Sequence, residues 1–232
     1  GLGVSMFHFS NLASSTQPAS PVRRRYLETA HRIVIRIFDI VGSIAGIVFF
    51  APLMAVIALL IYITSGGPIL FSQQRIGKCA RPFRCLKFRT MVVDAQARLE
   101  ELLANDPVAR AEWELEHKLH NDPRITKLGA FLRKSSLDEL PQFFNVLVGD
   151  MSLVGPRPIV LDEITRYGRY FGEYCRVRPG ITGLWQVSGR NDVTYRRRVA
   201  LDVSYVRSRR FLANFRILML TVTSVLMAKG SY

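Results

Sequence analysis

The chain has 232 residues, enough to bury a core of its own, and carries 32 lysines and arginines against 18 acids for a net charge of +14. A hydrophobic content of 49% and a mean hydropathy of +0.14 exclude a disordered or collagen-like chain and fall short of a polytopic membrane protein. The charge calls for a polyanionic partner: nucleic acid, an anionic membrane surface or phosphorylated substrates. Cys79, Cys85 and Cys175 are odd in number and lack CxxC spacing, which argues against a disulfide framework or a zinc knuckle.

Residues 1–30 read as a disordered N-terminal tail, because the opening stretch is rich in Ser, Thr, Gln and Pro and has no apolar run that would make a secretory signal. Gly1–Ser5, ahead of Met6, are expected to be foreign to the natural chain. From Ile40 to Gln74 there is no charged residue, and Ile40–Ile63 is apolar almost throughout. Those 24 residues would reach ~36 Å as a helix at ~1.5 Å per residue, enough for a bilayer core. Both flanks are basic: Arg23, Arg24, Arg25, Arg32 and Arg36 precede the segment, and Arg75, Lys78, Arg81, Arg84, Lys87 and Arg89 follow it. The positive-inside rule places both flanks in the cytoplasm, which a straight span cannot satisfy. Pro52 lies mid-segment, where it removes a backbone donor and bends or breaks the helix. Residues 31–65 are therefore expected to form a re-entrant membrane helix hairpin that enters and leaves on one face.

Beyond the anchor, residues 66–210 read as a small globular region with little sheet. Gly66-Gly67-Pro68 marks a turn, and Ile69–Gln74 and Phe83–Phe88 read as strands. Met91–Ala104 is helical by pattern. Asp106-Pro107 reads as an N-cap followed by proline at the first helical position, opening a helix to about Leu119. Eight acids against three bases between residues 90 and 123 leave the positive charge concentrated elsewhere, toward headgroups or substrate phosphates. Ile159–Val177 is predicted helical up to Pro179-Gly180, after which a loop-rich stretch holds Trp185, Gln186, Gly189, Arg190, Asn191 and Asp192. Residues 211–232 close the chain, with an interfacial amphipathic helix predicted over Phe211–Ala228 around Arg216. No helix-turn-helix, zinc finger or base-stacking motif supports a nucleic-acid partner.

The densest cluster of reactive types is Arg133-Lys134-Ser135-Ser136-Leu137-Asp138-Glu139-Leu140-Pro141-Gln142. Ser136 and Glu139 have capping-box spacing, and Pro141 is tolerated only in a first turn, so Asp138 is predicted at or beside a helix N-cap. A helix N-terminus keeps a carboxylate ionised and offers N–H groups to phosphate. An ionised carboxylate can attack phosphorus, and a second acid beside it can share a Mg²⁺ ion. Lys87, Arg89 and Arg157, the last in the stiff Gly155-Pro156-Arg157-Pro158 loop, are candidate phosphate ligands. The residues alone reach a membrane-associated protein with phosphoryl-transfer chemistry and stop there.

Three strings carry a resemblance further: Lys87–Met91 (KFRTM), Leu132–Pro158 and Arg178–Asp192. The chain resembles the bacterial sugar transferases, the monotopic phosphoglycosyl transferases, from about residue 30 to its end. The resemblance implies a mostly helical α/β membrane protein on the cytoplasmic face of the bacterial inner membrane. It implies transfer of hexose 1-phosphate from a UDP-hexose to undecaprenyl phosphate with release of UMP, the first membrane step of exopolysaccharide synthesis. Asp138 matches the family's nucleophile, Glu139 its partner at a Mg²⁺ site, Arg89 and Arg157 its phosphate-contacting arginines, and Pro52 its helix-breaking proline. Ala51 stands where some members have serine. The SGRNDV stretch and the Gly-Ser-Tyr end resemble the branch that transfers galactose 1-phosphate, and the lack of preceding segments the small form. Inner-membrane lipids are implied partners, and a homo-oligomer is compatible. A membrane glycosyltransferase that releases UDP and a non-enzymatic anchored module are the competing readings.

Overall fold

The computed structural model describes residues 21–116, 119, 121–188 and 193–226. Helix α1 runs from Pro21 to Ser65 and contains Pro52. It therefore begins inside the segment read as the N-terminal tail. Proline costs α1 a single i→i−4 bond, and the helix continues on both sides of it rather than splitting in two.

Among the described residues α1 is the one helix long and apolar enough to cross a membrane. One stripe of it is docked. Ile35, Asp39, Ser43, Ile57 and Ile61 are buried at helical spacing, and Phe50 stacks on Phe143 with ring centroids 6.1 Å apart. Polar contacts lock the N-terminal half. Arg36 donates to the carbonyls of Val146 and Leu147 at 2.6 and 2.8 Å, and the Asp39 carboxylate accepts from Ser152 Oγ and Leu153 N at 2.9 Å each. The remaining face, including Val41, Ile44, Val48, Phe49, Leu59 and Ile63, is exposed hydrocarbon.

Both expected strands form, as β1 (Leu70–Ile76) and β2 (Pro82–Phe88), and they pair as an antiparallel hairpin with Leu70 opposite Phe88 and Ile76 opposite Pro82. Helix α2 (Ala95–Asn105) starts later than its pattern predicts, because Met91 pairs with Ile125 in an isolated bridge. Helix α3 (Pro107–Glu116) opens as read: Asp106 Oδ1 accepts from Val108 N and Ala109 N at 2.8 and 3.1 Å. Its predicted extension reaches residues outside those described. Helix α4 (Lys127–Ser135) is capped by Thr126, whose Oγ1 accepts from Gly129 N at 2.9 Å.

The capping box at Ser136 does not form. Ser136 terminates α4 in the left-handed region, φ 58°, and its side chain caps nothing. Asp138 lies instead in a single 3₁₀ turn, Leu137–Glu139, and helix α5 (Gln142–Val148) begins only after Pro141. The S-x-x-E spacing was answered by the end of one helix rather than the start of the next.

Strand β3 (Ser152–Val154) pairs in parallel with β4 (Gly180–Thr182). The single helix predicted over 159–177 is broken into turns, with α6 (Ile164–Tyr167) and α7 (Phe171–Tyr174) separated at Gly168, whose φ of 50° and ψ of −128° no helix accommodates. Helix α8 (Leu184–Val187) is one turn, and the predicted Gly189, Arg190, Asn191 and Asp192 lie outside the described residues. Helices α9 (Tyr195–Ser208) and α10 (Phe211–Leu226) follow. Leu212, Phe215, Met219 and Val222 of α10 are exposed, while Asn214 and Ile217 face the core, so its outer surface is apolar like that of α1. Three buried clusters tie these layers together. One joins β3, α5, α9 and α10; one joins Ile76, Ile159 and the tyrosines of α6 and α7; the third sets Ile57 and Ile61 against Phe88, Leu132 and Leu140.

Candidate active site

Strand β2 would present a free edge to α5, and one buried side chain closes it. Asn145 Oδ1 accepts from Leu86 N at 2.9 Å while Asn145 Nδ2 donates to Arg84 O at 2.8 Å. This mimics a strand partner and fixes α5 across β2. The 3₁₀ turn preceding α5 is thereby held against the end of β2, and Lys87 meets both acids. Its ammonium donates to Glu139 Oε1 at 2.7 Å and stands 3.6 Å from Asp138 Oδ2.

The two carboxyls are pushed in opposite directions. Asp138 is buried, 7% exposed, and burial raises its pKa above the usual carboxylate range, with Lys87 and Arg133 pulling against it. Glu139 is held below that range: Lys87, then Arg157 and Arg75, outweigh its desolvation. Neighbouring acids with opposite shifts are suited to different roles.

Arg157 reaches this field from the Gly155–Pro158 loop, which is pinned to β4 by Gly155 N donating to Thr182 O and Gly180 N donating to Pro156 O, both at 2.8 Å. Arg75, which the sequence did not single out, donates to Pro158 O at 3.0 Å and pairs with Glu163 at 3.7 Å. Arg133 is held by Thr90, donating to its Oγ1 at 2.8 Å. The predicted residues Lys87, Asp138, Glu139 and Arg157 are thus gathered in one place. Arg89 is not joined to them: its guanidinium turns to the Gly66 carbonyl at the end of α1, and no hydrogen bond or ion pair among the described residues links it to either acid. Pro52 lies within α1.

An apolar cavity of about 570 Å³ opens between α1, the hairpin and α5, lined among others by Met54, Ala58, Ile69, Phe88, Pro141 and Phe144. Phe88 and Pro141 are near neighbours of Lys87 and Glu139 in the chain, but neither acid nor Lys87 lines the cavity. For a divalent cation, no group of three or more His, Cys, Asp or Glu side chains comes together among the described residues. Two carboxylates converging on one ammonium nevertheless fit a Mg²⁺ ion, which is commonly held by one or two carboxylates with substrate phosphates and water completing its shell.

Residues 30–228 match the bacterial sugar transferase family. The chain is 51% identical over 212 residues to an undecaprenyl-phosphate galactose phosphotransferase of Salmonella typhimurium, covering 91% of this chain and 44% of that protein. It is 46% identical over 197 residues to the exopolysaccharide production protein ExoY of Rhizobium meliloti, covering 85% and 87%. It is 35% identical over 223 residues to a UDP-glucose:undecaprenyl-phosphate glucose-1-phosphate transferase of Escherichia coli, covering 93% and 45%. The chain spans less than half the length of the Salmonella and Escherichia relatives and most of the Rhizobium one. By the family match and by these identities, the chain belongs to the bacterial sugar transferase family.

Proposed function

We propose that this chain transfers hexose 1-phosphate from a UDP-hexose to undecaprenyl phosphate and releases UMP. The observation that carries the reading is the buried Asp138 beside Lys87 and Glu139, on a turn whose Leu137 and Leu140 pack against Ile57 and Ile61 of the long apolar helix. Asp138 attacks the β-phosphorus: an Asp138 Oδ–P bond forms, the bond to the oxygen bridging the two phosphates breaks, and UMP leaves with that electron pair. Lys87 and Arg157 are placed to neutralise the phosphate oxygens. A phosphate oxygen of the lipid then attacks the same phosphorus and returns Asp138 to a carboxylate. When bound, Mg²⁺ on Asp138 and Glu139 supplies further neutralisation of phosphate charge. The apolar cavity accommodates the first part of a prenyl chain.

Galactose is the favoured hexose, because relatives named for galactose are 51% and 48% identical and those named for glucose 35%. The 4-hydroxyl alone separates the two sugars, and a site group left unpaired by the wrong epimer costs ~1–3 kcal/mol. Purified protein in lipid nanodiscs, given undecaprenyl phosphate, Mg²⁺ and equal UDP-galactose and UDP-glucose, is expected to yield UMP and a galactose-bearing lipid. Release of UDP would instead mark a glycosyltransferase, absence of any lipid-linked sugar would mark an assembly module, and equal use of glucose would overturn the galactose assignment alone.

The membrane form proposed is re-entrant, on the cytoplasmic face of the inner membrane. The docked stripe from Ile35 to Ile61 supports it, since both ends of the apolar segment are held by the same globule. A straight span would carry that globule across the bilayer. Cys79 is exposed just beyond the helix, and Tyr26 is exposed before its apolar part. In a Tyr26→Cys variant, an impermeant thiol reagent applied outside intact cells is expected to label neither position. Labelling of only one of the two would establish a span.

A further inference from the structure

A second group of cations lies beyond Arg157, and the chemistry above leaves it unused. Trp185 on α8 is 3% exposed. The Arg198 guanidinium on α9 lies 4.0 Å from its ring centroid and that of Arg157 5.9 Å away. Arg198 also stands 5.4 Å from the ring of Tyr195, which Arg166 covers at 5.0 Å. Three buried polar atoms here have no hydrogen-bond partner among the described residues: Trp185 Nε1, Tyr195 Oη and Arg198 Nε.

The nearby acids do not answer them. Asp202 accepts at Oδ2 from the Tyr167 hydroxyl at 2.7 Å while its buried Oδ1 meets no donor among the described residues, and Glu163 is engaged by Val160 N at 3.0 Å and by Arg75. Neither forms an ion pair with Arg157 or Arg198 among the described residues. Burial and then Arg157 disfavour the charge on Arg198, and Tyr195 and Glu163 only partly offset them. Half-buried cations beside unsatisfied donors are costly unless an anion completes them. Arg157 belongs at once to this cluster and to the field of Glu139, so the anion must adjoin the reacting acids. Two guanidiniums match a carboxylate or a phosphate, and beside acids proposed for phosphoryl transfer the oxyanion the reaction supplies is a phosphate.

We propose that Arg198, seated on Trp185 and acting with Arg157, binds the phosphate of the nucleoside monophosphate leaving group. The inference rests on the UDP-hexose reading above. As the bond between the two phosphates breaks, the departing phosphate gains negative charge, so Arg198 contributes to kcat as well as to binding. Arg198 is a site residue for the leaving group, while Trp185 positions it.

Direct titration of the full chain in nanodiscs with UMP tests this apart from turnover. Wild type is expected to bind UMP, and Arg198→Gln to bind it about tenfold or more weakly, the loss expected for hydrogen bonds to a charged group. Uridine, which lacks the phosphate, should bind wild type and Arg198→Gln alike. Trp185→Phe keeps a ring under Arg198 and serves where Arg198→Gln fails to fold; it should weaken UMP severalfold without affecting uridine. Unchanged UMP binding in a folded variant, a parallel loss of uridine, or no UMP binding by wild type overturns the inference. Failure to turn over UDP-hexose despite Arg198-dependent UMP binding would instead defeat the donor reading and leave the phosphate site standing.

Discussion

Asp138→Asn is expected to lower turnover at least ~10⁴-fold, the scale of removing a covalent nucleophile, while the protein remains folded and membrane-bound. Asparagine has nearly the same shape, it removes a charge that burial disfavours, and Lys87 keeps its 2.7 Å contact with Glu139. Acid-quenched wild type supplied with UDP-hexose and no acceptor should carry a phospho-hexose on the peptide containing Asp138, and the variant should carry none. An adduct on Glu139 would reverse the two roles. The pH dependence supplies an independent check. The attacking form is the carboxylate, so kcat/KM falls on the acid side as Asp138 protonates, with its limb above the ordinary aspartate range because burial raises the pKa. Lys87 opposes that rise, so Lys87→Met should move the limb to higher pH. A limb that stays in place would detach Lys87 from the nucleophile.

Gly180→Ala is expected to damage stability and activity together. A Cβ there would stand 2.1 Å from Gly155 N and 2.4 Å from Thr182 O, and the reciprocal Cβ on Gly155 would stand 2.5 Å from Arg178 O. These neighbours are main chain and cannot rotate away, so the Gly155–Pro158 loop and β4 must separate. Overpacking of this kind costs ~1–3 kcal/mol and sometimes more. Arg157 lies two residues beyond Gly155, and a displacement of about 1 Å at a positioned group can cost ~10²-fold in rate. Gly172→Ala is the matched control, since a Cβ there meets nothing within 4 Å. Unfolding midpoints and kcat/KM for the two variants check both halves. A Gly180→Ala enzyme of wild-type stability and rate would show that this backbone contact does not position Arg157.

Local chemistry made part of this molecule legible from residues alone. Glycine and proline punctuation with apolar alternation marked both strands of the hairpin, and Asp106-Pro107 marked the start of α3, because those signals act within a few residues. The 159–177 pattern misled because its apolar spacing is silent about Gly168, whose left-handed φ ends α6. Ser136 misled for a similar reason: S-x-x-E is indifferent to a helix ending on that serine. The meeting of Lys87 with Glu139 spans 52 positions and depends on Asn145 closing the edge of β2, which no local window contains. Arg198 was hidden in the run Arg196-Arg197-Arg198, which reads as a solvated face, and only packing distinguishes the half-buried third arginine from its exposed neighbours.

On the proposed reaction and membrane seating, the packing of Ile57 and Ile61 against Phe88, Leu132 and Leu140 sets the height at which the chemistry occurs. Phe88 directly follows Lys87, and Leu140 directly follows Glu139, so the reacting groups are levelled to the final turns of the apolar helix, where hydrocarbon gives way to headgroups. On that reading, a prenyl phosphate lying in the same leaflet then presents its phosphate oxygen to the phospho-hexose on Asp138 without being lifted. Withdrawing one five-carbon prenyl unit into water would cost roughly 4 kcal/mol at ~0.8 kcal/mol per carbon. The proposed reaction avoids that penalty, because the protein sinks to the level of its lipid substrate instead of raising it.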